Sequence, residues 1–166
     1  MKTTAFFTRI LSWLTGSRLT VDNSVVRELD LDRFLGTWYE VARFDHFFER
    51  GMSQTKANYV LRDDGNIDVI NTGIKDGQPK TAKGKAKLTD IPSLLRVSFF
   101  GPFYSDYRVM LVAADYRYML IGSGSDGYLW ILSRTPQLAD SDRTAILSEA
   151  KSRGYDIDKL IWVKQD

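Results

Sequence analysis

Residues 36–43 read Gly36-Thr37-Trp38-Tyr39-Glu40-Val41-Ala42-Arg43. Alternation across this stretch puts Trp38, Glu40 and Ala42 on one face of an extended strand and Tyr39, Val41 and Arg43 on the other. Similar short runs follow at Thr55–Leu61, Ile67–Thr72, Thr81–Leu88, Leu94–Phe100, Tyr107–Ala114, Tyr118–Gly122 and Tyr128–Ser133. Turn chemistry separates them: Asp63-Asp64-Gly65-Asn66, Lys75-Asp76-Gly77, Asp90-Ile91-Pro92, Gly101-Pro102 and Gly124-Ser125-Asp126-Gly127. With no helical period between the strands, parallel crossovers are disfavoured, and closing the sheet on itself removes its edges. The expectation is an all-β chain, an eight-stranded antiparallel up-and-down β-barrel.

Beyond Pro136 the period turns helical. Asp140, Ser141 and Asp142 supply a cap and first-turn acids, Ile146, Leu147 and Ala150 form a stripe, and Lys151, Arg153 and Gly154 mark the end. One C-terminal α-helix packed on the barrel wall is expected, then a short strand at Leu160–Val163. At the other end, Phe6, Ile10, Trp13 and Leu14 fall at helical spacing within residues 1–16, while Arg9 interrupts any secretory apolar core. Two readings of residues 5–14 stand side by side: an interfacial helix at a membrane surface, or a helix docked on protein. Residues 17–29 read as a polar linker, which divides the chain into 1–29 (amphipathic helix and linker) and 30–166 (barrel domain).

Composition limits the chemistry. The 166 residues suit one core. A net charge of +2 gives no ground for a nucleic-acid partner. Zero Cys removes disulfides, thiolate nucleophiles, zinc–thiolate sites and a lipidated N-terminal cysteine. His46 is the single His, and Asp45-His46 reads as a loop with no third group to complete a catalytic set. Gly122–Gly127 fits G-x-G-x-x-G but leads into a strand rather than a helix, so it reads as a hairpin turn. No catalytic residue, metal or cofactor is expected, and the chain is read as a non-enzyme. Lys80, Lys83, Lys85 and Lys87 form a basic cluster, either a solvated outer face or a site of attraction to anionic lipid headgroups. Phe44, Phe47 and Phe48 are expected to fold over the barrel mouth or to meet a second protomer.

A barrel of this size encloses either a packed core or a cavity for one small ligand. If Trp38 points inward, the matching faces bring Glu40, Ala42, Tyr59, Val69, Val97, Phe99, Tyr107, Val109, Leu111, Leu120, Tyr128 and Trp130 to the interior, with small residues Ala57, Ala82, Gly84 and Ala86 beside them. These twelve are the candidate ligand-binding residues. The mixture of small and aromatic side chains fits an elongated apolar cavity, and it also fits simple interdigitation as core. Glu40 should lie inside, either satisfied by neighbouring polar groups or facing a ligand's polar head. Trp38 and Arg134 share inward parity, so a guanidinium over an indole would plug one end.

Gly36-Thr37-Trp38 after a short helical turn (Leu31–Leu35), Ala114-Asp115-Tyr116 between two later strands, and Arg134 in Trp130–Pro136 resemble the three sequence motifs of the lipocalins in their usual order. The likeness is strongest to bacterial outer-membrane and apolipoprotein-D-like members and covers residues 30–164. Ala114 departs from the usual Thr. The resemblance implies an eight-stranded barrel with a C-terminal helix, structural roles for Gly36, Trp38, Asp115, Tyr116 and Arg134, and a hydrophobic ligand, a fatty acid or lysophospholipid. It also implies homodimer formation and a place at the bacterial cell envelope, in the periplasm or on a membrane, with the cytoplasm left open. The alternatives are an enzyme acting on a lipophilic substrate and an envelope interaction module with a filled interior.

Overall fold

The computed structural model describes residues 19–166 of the chain; the amphipathic helix expected at residues 5–14 lies outside them. Strands β1 (Gly36–Phe44), β2 (Ser53–Leu61), β3 (Ile67–Lys75), β4 (Gln78–Leu88), β5 (Leu94–Phe100), β6 (Phe103–Val112), β7 (Tyr118–Gly122) and β8 (Leu129–Ser133) follow one another in hairpin order. Every neighbouring pair is antiparallel, and β1 pairs with both β2 and β8, which closes the eight-stranded barrel. Helix α1 (Leu31–Phe34) precedes β1, and helix α2 (Asp140–Ser152), a short 3-10 turn (Ile157–Lys159) and β9 (Leu160–Trp162) follow β8.

β1 divides one of its edges between two partners. Gly36–Tyr39 pair with β2, whereas Ala42–Phe44 pair with β9. The tail stitches the gap between them: Val163 donates its backbone N–H to Val41 O, Lys164 O accepts from Gln54 N–H, and Gln165 Nε2 donates to Glu40 O and Thr55 O.

Two cores share the wall. Inside lie Trp38, Ala57, Tyr59, Ile67, Val69, Ala86, Leu95, Val109, Ile121 and Leu132. Outside, Val41, Ala42, Met110, Leu120, Leu129 and Ile131 pack beneath Ile146 and Ala150 of α2, with Phe44, Tyr155 and Leu160. Gly122 makes the outer packing tight, because a Cβ there would meet Met110 at 2.9 Å and the Tyr155 hydroxyl at 3.0 Å. α2 begins after Ala139, which offers no side-chain cap. Asp140 and Asp142 serve its positive end instead, and Asp142 also pairs with Arg117 at 2.8 Å.

The two-core wall corrects three sequence expectations. Ala42, Leu111 and Leu120 belong to the outer cluster, not to the interior. Register shifts between Glu40 and Ala42 in β1 and between Val109 and Leu111 in β6 advance the pleat by one residue, which turns the following side chains to the other face. Leu120 pairs with Leu111 and Ile131 on the outer side, while its neighbour Ile121 faces Val109 and Trp130 within. The same shift carries Arg43, expected outside, to the interior beside Glu40.

The described part of the expected linker is a strap on the barrel. Asp22 N–H donates to Arg153 O and Val26 N–H to Val109 O, the Ser93 hydroxyl donates to Val26 O, and Arg153 Nη1 reaches Asp22 O and Ser24 O. Val26, Leu29 and Leu31 pack against the inner core, so the strap and α1 cover one end of the barrel.

Candidate functional site

The covered end is a sealed floor. Asp30 caps α1, its side chain accepting from Arg33 N–H, and the helix delivers Phe34 under the barrel. Trp38 Nε1 donates to Phe34 O at 2.7 Å. Arg134 lies 3.7 Å over the Trp38 ring and donates to Thr37 O and Leu35 O, both at 2.8 Å, and to Arg33 O. Gly36 permits this approach: it has φ +96°, and a Cβ there would stand 3.4 Å from Arg134 Nη1. Tyr116 accepts from Asp30 N–H at 2.7 Å and lies under Arg33, while Asp115 holds Arg117 at 2.8 Å. Gly36, Trp38, Tyr116 and Arg134 thus meet at the floor, and Asp115 fixes the turn beside it.

Phe34 stacks on Tyr59 with ring centres 4.7 Å apart, and the Tyr59 and Tyr107 hydroxyls lie 2.9 Å from each other. Burial raises both phenols, so both stay protonated. One O–H donates to the other, leaving one hydrogen free for a partner. Tyr59, Val69 and Val109 are buried, whereas Val97, Phe99, Tyr107, Tyr128 and Trp130 are only half-buried although they carry inward parity. Ala82 and Gly84 keep that stretch of wall thin. A Cβ on Gly84 would stand 2.5 Å from Ser98 O and 2.8 Å from the Phe99 ring.

Toward the mouth sits a polar girdle. Arg43 Nη1 donates to Glu40 Oε1 at 3.0 Å, and Nη2 donates to Glu49 O and Met52 O at 2.7 and 3.3 Å, which ties down the β1–β2 loop. Trp130 Nε1 donates to Glu49 Oε1 at 3.3 Å. His46 lies in the β1–β2 loop and is buried there, packed against Phe48, Tyr128 and Trp130. Its Nε2 lies 2.8 Å from Glu49 Oε1 but out of line for a hydrogen bond.

Burial pushes the Glu40 carboxyl well above the usual range, and the Glu49 carboxylate beside it pushes the same way. Burial also works against ionised Glu49, but the neighbouring His46 and Glu40 side chains and the Arg43 guanidinium outweigh it and bring Glu49 down to about 2. The two carboxyls are thus driven apart, Glu40 keeping its proton to higher pH than Glu49. Arg43 Nε and Thr55 Oγ1 are buried without a hydrogen-bond partner among the described residues. Such groups are costly unless water or a guest satisfies them.

Sequence reasoning missed Arg43, His46 and Glu49. Arg43 was masked by the bulge, and no periodicity marks loop residues 46 and 49. Nine candidate residues, Glu40, Tyr59, Val69, Val97, Phe99, Tyr107, Val109, Tyr128 and Trp130, are gathered on the inner side.

A closed antiparallel barrel with a plugged floor, a polar girdle toward its other end and one helix on its wall has the architecture of a lipocalin-type calyx. The Lipocalin-like domain model matches residues 29–165, and the chain belongs to this family. It is 47% identical over 146 residues to the outer membrane lipoprotein Blc of Escherichia coli K12, covering 86% of this chain and 82% of that one. It is 42% identical to the protein of that name in Vibrio cholerae, over 97% and 98% of the two chains. Mouse apolipoprotein D is 33% identical, over 85% and 79%. Among solved structures, apocrustacyanin C1 superposes with a TM-score of 0.69 at 19% identity, covering 82% of this chain and 80% of that one, a likeness of fold.

Proposed function

We propose that the chain holds one small hydrophobic ligand, a fatty acid or lysophospholipid, in the barrel interior at the bacterial cell envelope. The observation that carries this reading is the contrast along the barrel axis. Trp38, Phe34, Ile67 and Leu95 at the floor are sealed, while inward-facing Val97, Phe99, Tyr128 and Trp130 nearer the mouth keep part of their surface open. An acyl chain would cover that surface, and burying about 16 methylenes at about 0.8 kcal/mol each contributes roughly 13 kcal/mol gross. Association and ordering cost about 4 to 15 kcal/mol, which leaves room for micromolar binding. The eight inward-facing candidates other than Glu40 form the contact set. Glu40 is taken up by Arg43 and Glu49, which favours a scaffold role for it over contact with a headgroup. The reading requires no catalytic step. Relatives that are outer membrane lipoproteins support the envelope assignment. Attachment of residues 5–14 to a membrane surface and formation of a homodimer complete the proposal.

The test is displacement of a fluorescent fatty-acid probe by lysophospholipid from delipidated protein. Phe99→Glu and Trp130→Glu should weaken probe binding about tenfold or more by placing a charge among apolar contacts, whereas Val60→Glu, on the exposed outer face, should not. Failure of the native chain to take up the probe, or equal effects of inner and outer substitutions, would refute the reading. Native mass spectrometry of detergent-free protein reads ligand mass and oligomeric state together.

A further inference from the structure

The β1–β2 and β5–β6 connections stand at the same end of the barrel, and two strands lie between them on either side of the ring, so they face each other across the mouth. Both end in phenylalanines. Phe47 and Phe48 are 71% and 50% exposed, with ring centres 4.0 Å apart. Phe100 and Phe103, paired across the tip of the β5–β6 hairpin, are 69% and 78% exposed. Four large apolar rings left in water on two convex tips are unexplained by the interior site.

Charge distinguishes the wall below the second tip. Lys83, Lys85 and Lys87 share the outer parity of β4, and Arg96 stands directly opposite Lys87 on β5. Like charges so placed repel. Asp106 pairs with Arg96, the Tyr104 ring accepts Lys87 at 4.4 Å, and Asp68 lies opposite Lys85, yet the patch stays net positive. An open depression lined by Lys87, Arg96, Pro102, Phe103, Tyr104 and Ser105 joins this basic wall to the aromatic tip.

We infer that the protein docks mouth-first on an anionic lipid bilayer, with the two phenylalanine tips in the headgroup–acyl boundary and Lys85, Lys87 and Arg96 at the lipid phosphates. The dimensions agree. Lys85 is level with Ser98, two residues below Phe100, and Lys87 with Arg96, four residues below. At about 3.3 Å per residue these are about 7 and 13 Å along the strand, or depths of about 5 and 10 Å along the axis of a barrel whose strands tilt by about 40°, which match rings buried about 5–10 Å and cations among or just above the headgroups. A flat, deformable surface meets two tips separated by the mouth at once. The docking uses residues apart from the ligand contact set and stands whether or not the cup is filled.

The zero Cys content lets single cysteines report depth. Full-length Phe103→Cys, Phe47→Cys and Asp64→Cys chains, the last labelled on the β2–β3 turn at the far end, carry an environment-sensitive dye and are mixed with phosphatidylcholine vesicles with or without about one-third phosphatidylglycerol. The expected result is a blue shift at positions 103 and 47 with anionic vesicles and none at 64. Vesicle partitioning should fall about tenfold or more in Lys85→Ala/Lys87→Ala and in Phe100→Ser/Phe103→Ser, while both variants keep probe binding in the cup. The inference is overturned by a shift at 64, by binding that leaves 103 and 47 unshifted, as attachment through residues 5–14 alone would do, or by a shift at 103 that appears without lipid and tracks dimer formation.

Discussion

Arg134→Ala removes one guanidinium that serves two purposes at the floor: it covers the Trp38 indole at 3.7 Å and satisfies carbonyls of Arg33, Leu35 and Thr37. The cation–π contact is worth about 1–2 kcal/mol, and each charge-assisted hydrogen bond about 1.5–3 kcal/mol where it is buried. Arg134 is only half-buried, so water replaces part of what is lost, and the expected destabilisation is about 3 kcal/mol. For a chain of this size that corresponds to a fall in Tm of roughly 6–12 °C. Arg134→Lys keeps a cation over the ring but offers no planar fork to several carbonyls, so it should recover less than half. Urea unfolding with thermal melts measures both variants, and the fatty-acid probe should bind the folded variants nearly as tightly as the native chain, since the floor does not line the open part of the cup. A loss below about 1 kcal/mol, or full rescue by Lys, would refute the account of the floor as a guanidinium-locked plug.

Other expectations follow from the same geometry. Because Glu40 keeps its proton in the folded chain above the pH at which it ionises unfolded, stability should fall as pH rises past the ordinary carboxyl range, and Glu40→Gln should flatten that slope in urea unfolding across pH. Glu49 works the other way: its contribution is present above about 4.5 and is lost as pH falls toward 2, so Glu49→Gln should reduce the acid sensitivity of the native chain. Gly84→Ala should cost about 1–3 kcal/mol and weaken probe binding, as its methyl would displace Phe99 or part β4 from β5. Gln165→Ala should speed amide exchange of Thr55–Ala57 and Val41–Arg43, where the tail bridges β1 and β2, and leave β5–β6 protection unchanged.

The hairpin order was legible because turn residues punctuate the chain, and the floor because Trp38, Tyr116 and Arg134 sit in recognisable settings. On β2 to β5 one face meets water, so alternation placed Tyr59, Val69 and Val97 on the inner side. On β1, β6, β7 and β8 both faces are apolar, because α2 and the C-terminal segment cover the outside, and hydrophobicity no longer tells inner from outer. Bulges compounded this in β1 and β6, which is why Ala42, Leu111 and Leu120 were misplaced and Arg43 was not seen as an interior residue. The Glu40–Arg43–Glu49–His46 girdle depends on how a loop folds back over the mouth, for which local sequence holds no periodic signal.

The wall formed by β6, β7 and β8 is one residue thick, with Ile121 supporting the calyx and Leu120 supporting helix α2. A displacement of β7 toward either compartment is a displacement away from the other. Filling the calyx should therefore press on the seating of α2, and a loaded protein should resist proteolytic nicking near Asp140–Ser152 better than an empty one.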